Sequence, residues 1–333
     1  MKTDWVAAGF TAMRDCGDDI SIVYAETGTS HRAEPRWFEL PHDKFDGISG
    51  FAHLLREQGL RLDALPVLKG ERPTLRQKLR GLMNVFPALQ VHRQKWRRFD
   101  PTRTSTFRRV RDRVASRLFT EAQTREIVAA ARDAGVTVNT WLLYHLDRAV
   151  AAQLAAPAAG RMWMIPVNLR GALPAVPEDF LQMSFLPVDI ERDPSPGALQ
   201  ALINGLKDRD CHWGSWTALH LGRLIGHAGI RRELRKRALQ HNGWTGIFSN
   251  LGVWNVPGAR SWIFGPAISR AQPVGAGCVT VNGRMSLTVQ LHEALTEDLQ
   301  ASYALLDAWT QGCLQEPLRE QFTVRRRAKV AVS

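Results

Sequence analysis

PHDKFDGISGF, residues 41–51, follows the apolar, aromatic stretch PRWFELP (35–41), and the organisation of the chain turns on how the two join. PRWFELP reads as a strand by its aromatic content. A histidine, two aspartates, a lysine and glycine or serine breakers then end it, and ISGFAHLLREQ (48–58) reads as a helix with Gly59 as its stop. His42 therefore sits where a strand ends, and Asp46-Gly47 sit where a helix begins. Asp46 also suits a helix N-cap, in the sequence DGIS.

Working outward, TDWVAAGFTAMR (3–14) reads as a short amphipathic helix and ISIVYAE (20–26) as a strand. Residues 66–113 are rich in Pro, Arg and Gln, with LRQKLRGLMNVF the one helical candidate. From Thr120, a plausible N-cap, TEAQTREIVAAARDAG and TVNTWLLYHLDRAVAAQL (137–154) predict two helices. WMIPVNLR (163–170) and DFLQMSFLPVDIE (179–191) read as strands of one sheet, and helices fit 197–209 and 215–239. TGIFSNLGVW (245–254) reads as a strand, VGAGCVTVNG and RMSLTVQLHE as a hairpin turning at Asn282-Gly283, and EDLQASYALLDAWTQGCL as a closing helix. The expected architecture is α/β in two lobes, with mixed sheets flanked by helices. The amino-terminal lobe spans 1–85, a crossing segment 86–115, and the carboxy-terminal lobe 116–333.

The 333 residues are 44% hydrophobic, enough for a large core, and no apolar run reaches the roughly 18 to 20 residues of a bilayer span. A soluble, cytoplasmic protein is the expectation. Cys16, Cys211, Cys278 and Cys313 show neither CxxC nor CxxH spacing, so they read as reduced thiols. The net charge of +12 is concentrated in 69–113, 231–237 and the tail 325–329. Such an excess suits a polyanion: nucleic acid, anionic lipid, a nucleotide-phosphate cofactor or an acidic carrier protein. A solvated arginine-rich surface gives the same composition.

His42, Asp46 and Gly47 form HxxxDG. With GVTVNTWLLYHLDRAV (135–150), MIPVNLR (164–170) and IFSNLG (247–252) in that order, the chain resembles the chloramphenicol-acetyltransferase-like superfamily over about residues 1 to 310. Within it, the nearest groups are wax ester synthase/diacylglycerol acyltransferases and peptide-synthetase condensation domains. The resemblance implies a two-lobed fold with a shortened amino-terminal lobe, because the family's motif usually lies beyond position one hundred. It also departs from the pattern: Pro41 stands where many members have a first histidine, and Thr140 follows Asn139 where aspartate is common.

What the resemblance implies chemically is acyl transfer from a thioester to a hydroxyl or amine, in lipid or secondary-metabolite biosynthesis. His42 would be the general base, suited by an ordinary pKa of about 6.5. Asp46 would be the residue that holds the motif's turn, supported by Gly47 and by Arg170 as ion-pair partner. Ser249 and Asn250, on a strand facing the histidine in the family, would orient substrate or stabilise the oxyanion. No tightly bound cofactor and no metal are implied. Acyl-CoA or a phosphopantetheine thioester is the co-substrate, and the basic segment 93–113 is a landing site for CoA phosphates or for an acyl or peptidyl carrier protein.

The alternative function is a catalytically inactive, condensation-like scaffold that binds a carrier or partner, which the short lobe and Pro41 favour. Nucleic-acid binding rests on charge alone and is disfavoured, whereas peripheral membrane contact stays open. LHEAL lacks the second histidine of HExxH, and neither GxSxG nor GxxxxGK[ST] occurs, which counts against zinc hydrolase, serine hydrolase and P-loop chemistry. The tryptophans of WGSWT (213–217) and WNVPGARSW (254–262) could line an acyl tunnel or a lipid-facing rim, or simply pack core and edge.

Overall fold

The computed structural model describes residues 4–18, 20–27, 35–62, 64–68, 72–88, 95–103, 109–157, 159–173, 181–191, 193–239 and 244–328, with backbone alone at 88, 235–239 and 315–328. Positions 93–94 and 104–108 of the basic landing segment, and the side chains of the tail 325–329, lie outside the described residues.

In chain order the elements are α1 (Trp5–Asp15), β1 (Ser21–Glu26), β2 (Arg36–Pro41), α2 (Gly47–Glu57), α3 (Leu75–Ala88), a 3₁₀ turn (Val110–Arg113), β3 (Val114–Leu118), α4 (Glu121–Asp133), α5 (Val138–Gln153), β4 (Arg161–Asn168), β5 (Met183–Ile190), α6 (Pro196–Asp208), α7 (Cys211–His220), α8 (Gly222–Leu239), β6 (Gly246–Trp254), β7 (Trp262–Gly265), β8 (Val274–Val281), β9 (Arg284–Leu291) and α9 (Leu299–Ala328). Local chemistry explains most boundaries. Asp4 caps α1 by accepting from Val6 N and Ala7 N at 3.0 and 3.1 Å. Thr120 caps α4 in a capping box with Gln123, and Thr137 caps α5.

The described strands form two sheets. The smaller has the order β2-β1-β7 and is antiparallel throughout; the larger has the order β3-β9-β8-β6-β4-β5 and is mixed, with β4-β6 and β6-β8 parallel. β7 comes from the carboxy-terminal third of the chain yet pairs with β1, so the two sheets are stitched by an exchanged strand. The core of the smaller sheet gathers Ile22, Tyr24, Phe51, Leu54, Trp262 and Phe264, and that of the larger gathers Trp163, Phe248, Leu287 and Trp309. β4 and β6 are in register only at Trp163/Gly246 and Met164/Ile247; past these pairs β4 follows β5 and β6 follows β8.

Three expectations change. The helix anticipated over 215–239 is two, α7 and α8, and Gly226 (φ 64°, ψ −179°) breaks helical geometry inside the second. β7 went unread because four residues, WIFG, are too short to show a period, and β3 because its VASRL sits inside a charged run. The closing helix extends past Leu314 to Ala328. Tryptophans 254 and 262 belong to the small-sheet core, and Trp213 is buried beside Leu169. Among the described residues all the cysteines are free thiols, with Cys16 partly exposed and the others buried.

Candidate active site

The turn between β2 and α2 is built by its own residues. The amides of Lys44 and Phe45 both donate to the Pro41 carbonyl, at 3.0 and 3.1 Å, reversing the chain within a few residues. This places His42 at the turn's shoulder, 6% exposed, where its Nδ1 donates to the Phe45 carbonyl at 2.8 Å. Because a carbonyl can only accept, that bond fixes the proton on Nδ1 and leaves the lone pair on Nε2. Burial pushes the His42 pKa below its usual value, opposed by the Phe45 carbonyl and by the charges of Asp46 and Asp43.

Asp46 serves two structures at once. Its Oδ1 accepts from Ile48 N and Ser49 N at 3.0 and 2.9 Å, while Ser49 Oγ accepts from Asp46 N at 3.0 Å, which makes a capping box for α2. Its Oδ2 accepts from Arg170 Nη2 at 2.7 Å and from the Gln182 amide at 3.1 Å. The carboxylate thus points away from His42 and ties the small-sheet turn to the ends of β4 and β5. Both members of this ion pair are about 95% buried, with side-chain exposures of 5% and 4%. Arg170 is aimed in turn by Asn168, whose Oδ1 accepts from Arg170 N and Nη1 at 3.1 and 3.2 Å. Asn168 Nδ2 donates to Pro66 O at 2.7 Å, and Leu68 N donates to Arg170 O, so residues 66–68 are laced to the same corner.

Gly47 sits in a crowded place. A Cβ there would lie 2.7 Å from Leu251 Cδ2 and 3.3 Å from Phe264 Cζ, a closeness that demands movement. Tyr24 Oη donates to the Gly47 carbonyl at 2.8 Å from beneath. The motif is therefore pressed against β6 through Leu251 and against β7 through Phe264.

Ser249 and Asn250 are neighbours on β6. Ser249 is buried, and the bonds of Asn250 run to Asn139 at the start of α5 (Nδ2 to Oδ1, 2.6 Å) and to Gly252 N (2.8 Å), not to His42. Asn250 also lines a cavity of about 480 Å³ with Arg125, Arg132 and Val253. Sequence reading missed Phe10: its ring stacks on His42 with centroids 3.9 Å apart and planes 22° apart. Arg14 and Thr11 fasten the same helix, α1, to the turn through Asp43, at 2.8 and 3.3 Å. Asn168, Gln182 and Tyr24 were likewise not singled out, since each acts through a backbone approach that no sequence pattern announces. The larger cavities, of about 790 and 530 Å³, are lined elsewhere, and His42 lines none of the three. Among the described residues no cluster of three His, Cys, Asp or Glu side chains is arranged to hold a metal.

No family model and no curated protein matches the sequence. Solved structures do. The cyclization-docking bidomain of a Sorangium cellulosum nonribosomal peptide synthetase aligns with a TM-score of 0.53 at 12% identity, covering 84% of this chain and 61% of that one. The condensation domain of the Monacolin K polyketide synthase aligns at 0.50 and 12%, covering 81% and 66%. Trichothecene 15-O-acetyltransferase of Fusarium sporotrichioides aligns at 0.50 and 13%, covering 88% and 70%. This chain spans about two thirds of the length of such proteins. At these identities the likeness is one of fold: two sheets flanked by helices, the chloramphenicol-acetyltransferase-like arrangement shared by condensation domains and this acetyltransferase.

Proposed function

We propose that the chain transfers an acyl group from a thioester, acyl-CoA or carrier-bound, to a hydroxyl or amine, with His42 as general base. The observation that carries this reading is the Nδ1 to Phe45 bond, which presents a neutral imidazole with its lone pair on Nε2. Nε2 takes the acceptor's proton as its oxygen or nitrogen bonds to the thioester carbon. The tetrahedral adduct then collapses, the C–S bond breaks, and the thiolate leaves with the proton returned from the imidazolium. Asp46 does not touch the reacting atoms. With Arg170 it positions the turn that carries the histidine, supported by the close packing at Gly47. Ser249 and Asn250 are the candidates for orienting substrate or stabilising the oxyanion, with Asn250 tied to Asn139 at the start of α5.

A second reading is a carrier-binding scaffold without chemistry. It is favoured by Phe10 stacked on a buried His42. Incubation with acyl-CoA thioesters and a panel of alcohols and amines, with acylated products read by mass, separates the two. Product formed by the wild type supports transfer. Retention of a loaded carrier protein by both wild type and His42→Ala, with no product from either, supports the scaffold.

A further inference from the structure

Helix α3 presents an apolar stripe to solvent. Leu75, Leu79, Met83 and Phe86 recur every three or four residues and are 71%, 52%, 76% and 50% exposed. From Leu75 to Phe86 they run about 16 Å along the axis. The opposite side of the helix is firmly held. Val85 is buried, Asn84 Nδ2 donates to Arg209 O at 3.1 Å, Arg80 pairs with Asp210, and a Cβ on Gly81 would lie 2.1 Å from Asp210 O. The apolar face is thus fixed outward by rigid packing.

Its charge selects the partner. On α3 and just ahead of it the chain supplies Arg72, Arg76, Lys78 and Arg80, with no Asp or Glu from 72 to 88. Leu224 and Ile225 in the opening turn of α8 are also exposed. The surface is a ridge. The shallow depression of about 530 Å³ along it is lined, among the described residues, by α3 itself, through Leu75, Arg76, Leu79, Arg80, Met83 and Asn84, so among them no second element supplies the wall against which a partner helix would lie. A bilayer needs no such wall. It takes apolar side chains into the acyl boundary while arginine and lysine meet anionic headgroups. Among the described residues no helix is long and apolar enough to cross a membrane.

We propose that α3 lays the protein on an anionic lipid surface, with Leu79 and Met83 inserted and Arg72 and Arg76 at the headgroups. The test is co-sedimentation of the purified chain with phosphatidylcholine vesicles and with the same vesicles containing phosphatidylglycerol, at about 0.1 M salt. The expected result is binding to the anionic vesicles, at least about tenfold weaker on the neutral ones. The double variant Leu79→Glu/Met83→Glu should lose at least about tenfold on the anionic vesicles. Both side chains are exposed, so its thermal midpoint should match wild type. No binding to either vesicle would overturn the proposal, as would undiminished binding of the double variant, which would mean charge alone. A wild-type dimer in gel filtration that Met83→Glu dissolves would also overturn it, assigning the face to a second copy. None of these readouts depends on acyl transfer.

Discussion

The ion pair between Asp46 and Arg170 is held where water is excluded, so each charge depends on the other. Removing one partner of such a pair typically costs about 3–5 kcal/mol, because the survivor is left buried and uncompensated. Asp46→Asn should therefore lower the free energy of urea unfolding by that order, and acyl transfer, if measured at a temperature where the variant stays folded, should fall with it. Gly47→Ala tests the neighbouring contact: with Leu251 2.7 Å from the new carbon, a loss of about 1–3 kcal/mol is expected in the same titration. The acidic limb of a transfer rate profile reports His42. Since burial lowers its pKa, the base form persists below pH 6.5, and kcat/KM should stay level through neutrality and decline only at lower pH. An inflection above 6.5 would mean that another group titrates. HxxxDG was legible at this scale, and so was arginine as the partner, because a carboxylate in a packed turn needs a forked donor. Phe10 was not: a ring on a separate helix, stacked on His42, leaves no spacing in the sequence to read.

Among elements, the β8–β9 hairpin shows what local chemistry announces and what it hides. Asn282 and Gly283 have φ of 48° and 79°, both in the left-handed region, as the dipeptide foretells. The side chain of Asn282 has a second task, however. It accepts from Val256 N and donates to Val256 O and Ala259 O, at 2.9, 2.9 and 3.1 Å, pinning the loop that delivers β7 to the small sheet. Asn282→Ala loses these bonds, and amide exchange in Trp262–Gly265 should accelerate more than in the hairpin's own strands. Equal acceleration in both would place the effect in the turn alone. The crossing of α3 and α7 was hidden for a similar reason. Gly81 and Gly214 let two backbones touch, with built Cβ atoms 2.1 Å from opposing backbone, and neither glycine sits at a helix end where sequence would call for one.

At the scale of the whole molecule, five histidines among the described residues have pKa values pushed down, each mainly by burial: His42, His212 and His220, and His145 and His292, these two down to about 3. The unfolded chain binds protons at these positions from about pH 6.5 downward while the folded chain does not. Stability from these groups is therefore complete above pH 6.5 and is lost as pH falls toward 3. Each group contributes at most about 1.4 kcal/mol per pH unit within its window. The urea midpoint should drop between pH 7 and pH 5, and an unchanged midpoint would contradict the burial of these rings. The two-sheet fold was legible from the alternation of strand and helix signals and from segment order. The exchange of β7 between the sheets was not, since long-range pairing of a four-residue strand follows from the burial of Trp262 and Phe264 against α2, not from their local sequence.

All of this converges on one atom, Nε2 of His42, and the most direct measurement is the rate of acceptor-dependent thiol release from an acyl-CoA by wild type and by His42→Ala, after matched folding is confirmed by circular dichroism. A fall of about 10² to 10⁴ in the variant is predicted, the range a positioned general base supplies. Equal rates in the two proteins would contradict it.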